Sequence, residues 1–148
     1  MNEAQLRALF EQVREGAVDV EQALGKVRHM PYEDLGFAKV DHHRALRHGM
    51  PEVIFGLGKT TEEITAIAAA LLERSPNVLV TRINPESAIE LLRQFPDGEH
   101  FPRARAIRFW RDRTVLGRGK ITVVCAGTSD IPVAQEARVT AEVMGNQV

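Results

Sequence analysis

Apolar residues recur at helical spacing near the start of the chain, at Leu6, Leu9, Phe10 and Val13. That stripe predicts a helix over residues 2–15, with Asn2 as N-cap and Gly16 at the stop. A shorter helix follows from Glu21 to Arg28, capped by Asp19. Phe37 to Val40 reads as a short extended stretch. Asp41 can then cap one or two helical turns that end at Gly49, with Pro51 preventing their continuation. Glu52 to Gly56 is a strand, and Gly58-Lys59-Thr60 turns into a helix. Thr60 and Glu63 have capping-box spacing. Ile64, Ile67, Ala68, Leu71 and Leu72 form that helix's buried stripe. Asn77 to Ile83 is the next strand. Asn84 then caps a helix with Pro85 at its first position, running to about Gln94. Residues 103–113 predict a strand of basic and apolar character. After a hinge from Arg113 to Lys120, Ile121 to Cys125 reads as a buried strand. A polar loop, Ala126 to Asp130, leads from it into a helix that ends at Gly145.

The alternation of strand and helix predicts an α/β fold. An N-terminal helical hairpin would precede a small, mostly parallel sheet over 52–111, built by right-handed crossovers. A first domain would cover residues 1–117. Residues 118–148 would be the first strand–helix unit of a Rossmann-type, nucleotide-binding sheet. A strand such as 121–125 expects neighbours on both edges, and the sequence stops where the next strand should begin. The expectation is therefore a frayed or partner-covered strand. On its pattern alone the helical hairpin is a docking or dimerisation appendage.

Composition narrows the class. The chain has 148 residues, 26% of them charged, and a net charge of −1, which excludes a disordered tail or a wholly basic nucleic-acid coat. One cysteine, Cys125, cannot form an internal disulfide and fits a reducing, cytoplasmic compartment. The polar start carries no signal peptide, and no apolar run approaches the ~20 residues of a membrane span.

Several clusters could carry chemistry. Gly58-Lys59-Thr60 resembles the end of a phosphate-binding loop, but Val53 stands where that motif needs glycine. Lys59 at a helix N-terminus could still attract an anion; a plain capped turn is the other reading. Arg44 and Arg47, three apart, share a helical face and could grip a phosphate or carboxylate. The alternative is an ordinary ion-paired face, with Glu52 as partner. His42, His43 and His48 lack the i, i+4 spacing of paired metal ligands, so no metal site is expected. Between 103 and 120 seven basic residues (Arg103, Arg105, Arg108, Arg111, Arg113, Arg118, Lys120) face one acid, Asp112. The segment therefore carries +6 and the remainder −7. It reads as a nucleic-acid or phosphate surface, or as a charged edge strand that resists aggregation. Gly127, Thr128, Ser129 and Asp130 offer backbone freedom, hydroxyls and a carboxylate at a helix N-terminus, where open sheets bind ligands. Cys125, inside the strand, reads as a small hydrophobe rather than a nucleophile.

Two segments together carry a resemblance. The string from Gly36 through Asp41-His-His-Arg-Ala-Leu-Arg-His-Gly-Met-Pro-Glu-Val-Ile54 to Lys59-Thr60 is one. Val124-Cys-Ala-Gly-Thr-Ser-Asp-Ile-Pro-Val-Ala134 is the other. They resemble the LarB family of nickel-pincer cofactor biosynthesis, whose second half is similar to the purine-pathway mutase PurE. The resemblance implies an enzyme that carboxylates the pyridinium ring of nicotinic acid adenine dinucleotide with CO2. It would also cleave the phosphoanhydride, giving pyridinium-3,5-biscarboxylic acid mononucleotide and AMP. It implies a small-molecule dinucleotide substrate, no bound cofactor, no membrane or nucleic-acid partner, and a homo-oligomer. It further implies a cysteine thiolate in the later part of the PurE-like half, beyond residue 148, so that role is not assigned to Cys125 and the chain alone is expected to be inactive. Gly127, Thr128, Ser129 and Asp130 match the substrate-contacting loop of PurE-like domains; Arg44, Arg47 and Lys59 are candidates for the dinucleotide's phosphates or carboxylate. A self-contained nucleotide- or nucleic-acid-binding or oligomerisation module is the competing class.

Overall fold

The computed structural model describes residues 3–28, 32–42, 44, 50 and 52–148. The chain divides into two compact units, 1–52 and 53–148. The division therefore falls well before the expected boundary near 117.

The first unit opens with α1 (Glu3–Arg14) and α2 (Val20–Arg28). Gly16 takes φ +72° at the end of α1, and Asp19 caps α2 by accepting from the Gln22 N–H at 2.7 Å. Of the expected α1 stripe, Leu9 is buried but Phe10 is 61% exposed. A two-helix hairpin is too narrow to cover both flanks of its apolar face. Next comes a hairpin, β1 (Tyr32–Asp34) antiparallel to β2 (Lys39–Asp41), of which the sequence pattern predicts only the extended stretch at Phe37–Val40. Its loop is closed by the Leu35 N–H donating to Ala38 O and by the Asp34 carboxylate accepting from the Gly36 N–H. The helical turns expected after Asp41 fall, apart from His42 and Arg44, outside the described residues. So do Asn2, His43, Arg47, His48, Gly49 and Pro51.

The second unit is an α/β layer structure. Its strands are β3 (Val53–Phe55), β4 (Asn77–Thr81), β5 (Glu99–Phe101) and β6 (Ala106–Trp110), in the order β3-β4-β6-β5. The α/β class holds, but the sheet is mixed rather than mostly parallel. Only β3 and β4 run parallel, joined through α3 (Thr61–Arg74). After α4 (Pro85–Gln94) the chain enters β5, which hairpins into β6, and β6 lies antiparallel to β4. The single strand expected over 103–113 is thus a tight turn at 102–105 followed by β6. The extra strand β5 reverses the direction of everything after it.

Strand alternation assigns the two faces. Val78, Val80, Ile107 and Phe109, all fully buried, face α3 and α4. Phe109 meets the Phe95 ring edge-on, with centroids 6.2 Å apart. The α3 stripe is buried at every expected position. The opposite face carries Leu79 and Ala106, covered by Val139 and Val143 of α5 (Ile131–Val143). The helix expected to found a second domain therefore lies on the sheet of residues 53–110.

Residues 121–125 are not the buried strand that their composition suggests. They carry no regular secondary structure and are exposed, Val124 to 84%. Their only pairing is one parallel bridge, Lys120 with Gln147, in which the Ile121 N–H donates to Gln147 O at 2.8 Å. The reason is the absence of a neighbouring ladder among the described residues: an apolar segment with no partner on either edge has nothing to be buried against. Cys125 is correspondingly exposed, not a buried hydrophobe. The expected stop at Gly145 holds. Its φ is +82°, and a Cβ there would lie 2.9 Å from Leu116 Cγ, because its carbonyl accepts from the Leu116 and Gly117 N–H groups. Among the described residues no helix is long and apolar enough to cross a membrane.

Phe109 lies at the centre of the α3–α4 face. Phe109→Ala is expected to cost about 3–5 kcal/mol, read as a lowered urea midpoint.

Candidate functional site

Because β3 and β4 are parallel, the turns that leave them emerge at one end of the sheet. The first turn begins at Gly56, whose N–H donates to Thr81 O at 2.7 Å. A Cβ at Gly56 would sit 3.0 Å from that same carbonyl, so only glycine lets the two strand ends approach this closely. The second turn, 82–84, leads to Asn84. Thr60 caps α3 in a reciprocal capping box with Glu63, and Asn84 caps α4 by accepting from the Ser87 N–H. The hydroxyls of Thr61 and Ser87, 2.7 Å apart, join the first turns of the two helices. Two helix N-termini, each a partial positive charge with free amides, therefore open at the carboxyl end of the parallel pair. Half-buried Lys59 stands in the first turn.

Two arginines that no sequence pattern places at this end share an unusual backbone. Arg82 (φ +54°) and Arg105 (φ +51°) are the only non-glycine residues in the left-handed region among those described. The Ile83 N–H donates to Arg105 O at 3.0 Å, and the Arg105 guanidinium reaches Arg82 O at 3.4 Å. The Arg82 guanidinium pairs with Glu136 of α5. No local signal announces left-handed arginine; Asn or Gly would have done so.

The same ion pair orients α5. Glu136 meets Arg82 at the end of β4, whereas the carbonyl of Val143 meets Asn77 at its start. The helix thus runs antiparallel to β4, and its first residue lies about 8 Å beyond Glu136 along the axis. Gly127–Asp130 precede it, past the carboxyl end of β4. There Thr128–Asp130 form a single 3-10 turn. The Asp130 carboxylate accepts from the Gly127 N–H at 3.4 Å, while Thr128, Ser129 and Asp130 are solvent-exposed. Lys59 and this loop therefore lie beyond the same end of the sheet, without a hydrogen bond or ion pair between them.

Arg44 belongs to the first unit, and Arg47 lies outside the described residues. Arg44 is exposed. Its positive charge acts on Glu52, whose carboxylate accepts from the Asp41 N–H at 2.6 Å. Burial nevertheless prevails and holds the Glu52 carboxyl above its ordinary range, with the neighbouring Asp41 charge adding to the rise. His42 is buried, its Nε2 2.8 Å from Glu33 Oε2 across the β1–β2 hairpin. Among the described residues no three His, Cys, Asp or Glu side chains are grouped to hold a metal.

The basic segment has an internal role. Arg108 is buried on the α5 face of the central strand β6, held by Glu99 of β5 at 2.8 Å and by Glu142 of α5. Its guanidinium lies 4.3 Å from the Trp110 ring centroid and 4.9 Å from that of Phe101. Arg113 pairs with Glu99 and stacks on Trp110, Arg138 pairs with Glu142, and Arg111 pairs with Asp97. Three of the seven cations proposed for a nucleic-acid surface are thereby paired with carboxylates, Arg108 in the interior and Arg111 and Arg113 at the surface.

The LarB/PurE-like N-terminal domain family matches residues 32–111. The chain is also 31% identical over 147 residues to an uncharacterized protein of Methanocaldococcus jannaschii, an alignment that covers 95% of this chain. The chain spans 57% of that relative's length.

Removing the Arg108 side chain would leave Glu99 and Glu142 without their shared partner. Arg108→Ala should cost about 3 kcal/mol, seen as a lowered thermal midpoint, while Arg118→Ala on the surface should cost under about 0.5 kcal/mol. Glu52 gives a pH signature. Because its folded pKa is raised, the folded state binds its proton more tightly, and stability falls as pH rises upward from the ordinary carboxyl range. Glu52→Gln keeps an acceptor for the Asp41 N–H, so it should remove this loss, matching wild type at low pH and exceeding it at pH 7 in denaturant titrations.

Proposed function

Because the chain belongs to the LarB/PurE-like N-terminal domain family, we propose that it is the front part of a pyridinium-3,5-biscarboxylic acid mononucleotide synthase. The enzyme would take nicotinic acid adenine dinucleotide and CO2, place a carboxylate on the pyridinium ring with loss of its C–H proton, and use water to split the phosphoanhydride, releasing AMP. An electron-poor pyridinium carbon does not attack CO2 by itself. A thiolate must first add to the ring and create an enamine-like carbon. Cys125 is not assigned that role. The part of this chain would be to bind and orient the dinucleotide.

The observation that carries this reading is the convergence at the carboxyl end of β3 and β4. Two helix N-termini, Lys59 and the exposed Gly127–Asp130 loop lie beyond that end, where open sheets receive nucleotides. Lys59 would meet a phosphate as a point charge, and the Thr128 and Ser129 hydroxyls would donate to ligand oxygens. In the first unit, Arg44 and Arg47 are separate candidates for a phosphate or carboxylate of the dinucleotide, on the segment whose string matches the family. The reading includes a homo-oligomeric, cytoplasmic enzyme.

Calorimetric titration with nicotinic acid adenine dinucleotide tests the assignment. Lys59→Ala and Arg44→Ala should each weaken binding about tenfold, about 1.4 kcal/mol, and Cys125→Ser should leave it unchanged. Equal affinity in wild type, Lys59→Ala and Arg44→Ala would remove these residues from the substrate site.

A further inference from the structure

β3 is one edge of the four-stranded sheet, and β5 is the other. Proteins usually protect sheet edges with charged side chains, and β5 follows that rule with Glu99 and His100. β3, Val-Ile-Phe, carries no charge. Its last residue, Phe55, is 53% exposed, and Leu57 in the turn that follows is 58% exposed. One exposed apolar side chain is ordinary. A phenylalanine and a leucine two residues apart, at an uncharged edge beside a candidate ligand site, call for an occupant.

Strand register fixes the face on which the ring emerges. Val53 pairs with Leu79 and Phe55 with Thr81, so both side chains stand on the face that α5 covers. Val53 packs there against the cluster of Leu79, Val139 and Val143, whereas Ile54 is buried on the other face. α5 packs on β4 and β6, so exposed Phe55 stands beside the helix rather than beneath it. The Gly127–Asp130 loop precedes α5 on this same face, past the same end of the sheet. The chain then folds back at once. The Lys59 N–H donates to Gly56 O at 3.1 Å, and Gly58 takes φ +80°. In such a turn the first and last Cα atoms lie within about 7 Å. Phe55 and Lys59 are thereby held one tight turn apart, on the scale of a single nucleotide.

We propose that Phe55 is the stacking platform for a planar heteroaromatic ring of the dinucleotide, with Leu57 widening the apolar surface. The assignment rests on the dinucleotide reading above and adds the contact that its phosphate groups alone do not supply. Lys59 and the loop hydroxyls recognise oxygens that any sugar phosphate carries. A stacked ring separates a nucleotide from a sugar phosphate. Adenine would stack through its π face, and the cationic pyridinium would gain a further attraction to the phenyl quadrupole.

Protons held over a phenyl face are shielded, and the adenine and pyridinium protons give separate NMR lines. Nicotinic acid adenine dinucleotide is therefore titrated with the wild-type chain, Phe55→Leu and Phe55→Tyr, and its 1H lines are followed. The expected result is an upfield shift of one ring's protons with wild type and with Phe55→Tyr; the ring that shifts is the one that stacks. Phe55→Leu, at an exposed position, should retain the backbone spectrum, lose the upfield shift and bind about tenfold more weakly. Binding without an upfield shift, or a shift and affinity that persist in Phe55→Leu, would overturn the platform and leave the dinucleotide reading standing. A wild-type chain that does not bind the dinucleotide would remove both.

Discussion

The second unit is organised around one buried guanidinium. Arg108 sits on the central strand β6, with Glu99 of the edge strand on one side and Glu142 of the covering helix on the other. A charge in such a place is tolerated only when its donors are met, because desolvation without compensation costs several kcal/mol. Meeting them constrains three elements together. The β5–β6 register must bring Glu99 opposite Arg108, and α5 must lie with Glu142 against the sheet. The rings of Phe101 and Trp110 complete the enclosure. Leu79, Ala106, Val139 and Val143 supply the apolar area beside this network, and the network supplies the direction in which that area is buried.

That orientation has a consequence at the other end of α5. With Glu142 held near mid-sheet and Glu136 tied to Arg82, the helix start projects past the carboxyl end of β4. The Gly127–Asp130 loop is carried there, toward the end of the sheet where β3 and β4 release their chains into α3 and α4. A structural ion cluster thus sets the position of a candidate ligand loop that it does not touch. The coupling runs through a rigid helix of thirteen residues.

Helix positions were legible because their determinants are local. The Thr60–Glu63 capping box, the Asn84-Pro85 start and the left-handed Gly145 are each decided within a few residues, and each appears where the sequence placed it. Strand partnership was less legible. Glu99-His-Phe101 is too short to display a period, so neither β5 nor the antiparallel direction it gives β6 can be seen in the sequence pattern. The exposure of 121–125 is hidden in the sequence for a related reason: apolar composition states what a segment could cover, not what is present to cover it.

Chemistry divides along the same line. The sequence by itself determined the family string, the helix caps, the α/β class and the candidate residues Lys59 and Gly127–Asp130, since all of these are written in contiguous residues. Only the tertiary structure decided what the arginines do. From the sequence, 103–120 is a run of positive charge; in the fold, Arg108, Arg111 and Arg113 turn to carboxylates of β5, of α5 and of the turn before β5. Arg82 and Arg105 meet at the sheet's carboxyl end in left-handed conformations. The partners of Arg108 lie nine and thirty-four residues away along the chain. An ion pair is a relation in space, set by strand register and helix direction, and no local pattern of residues encodes it.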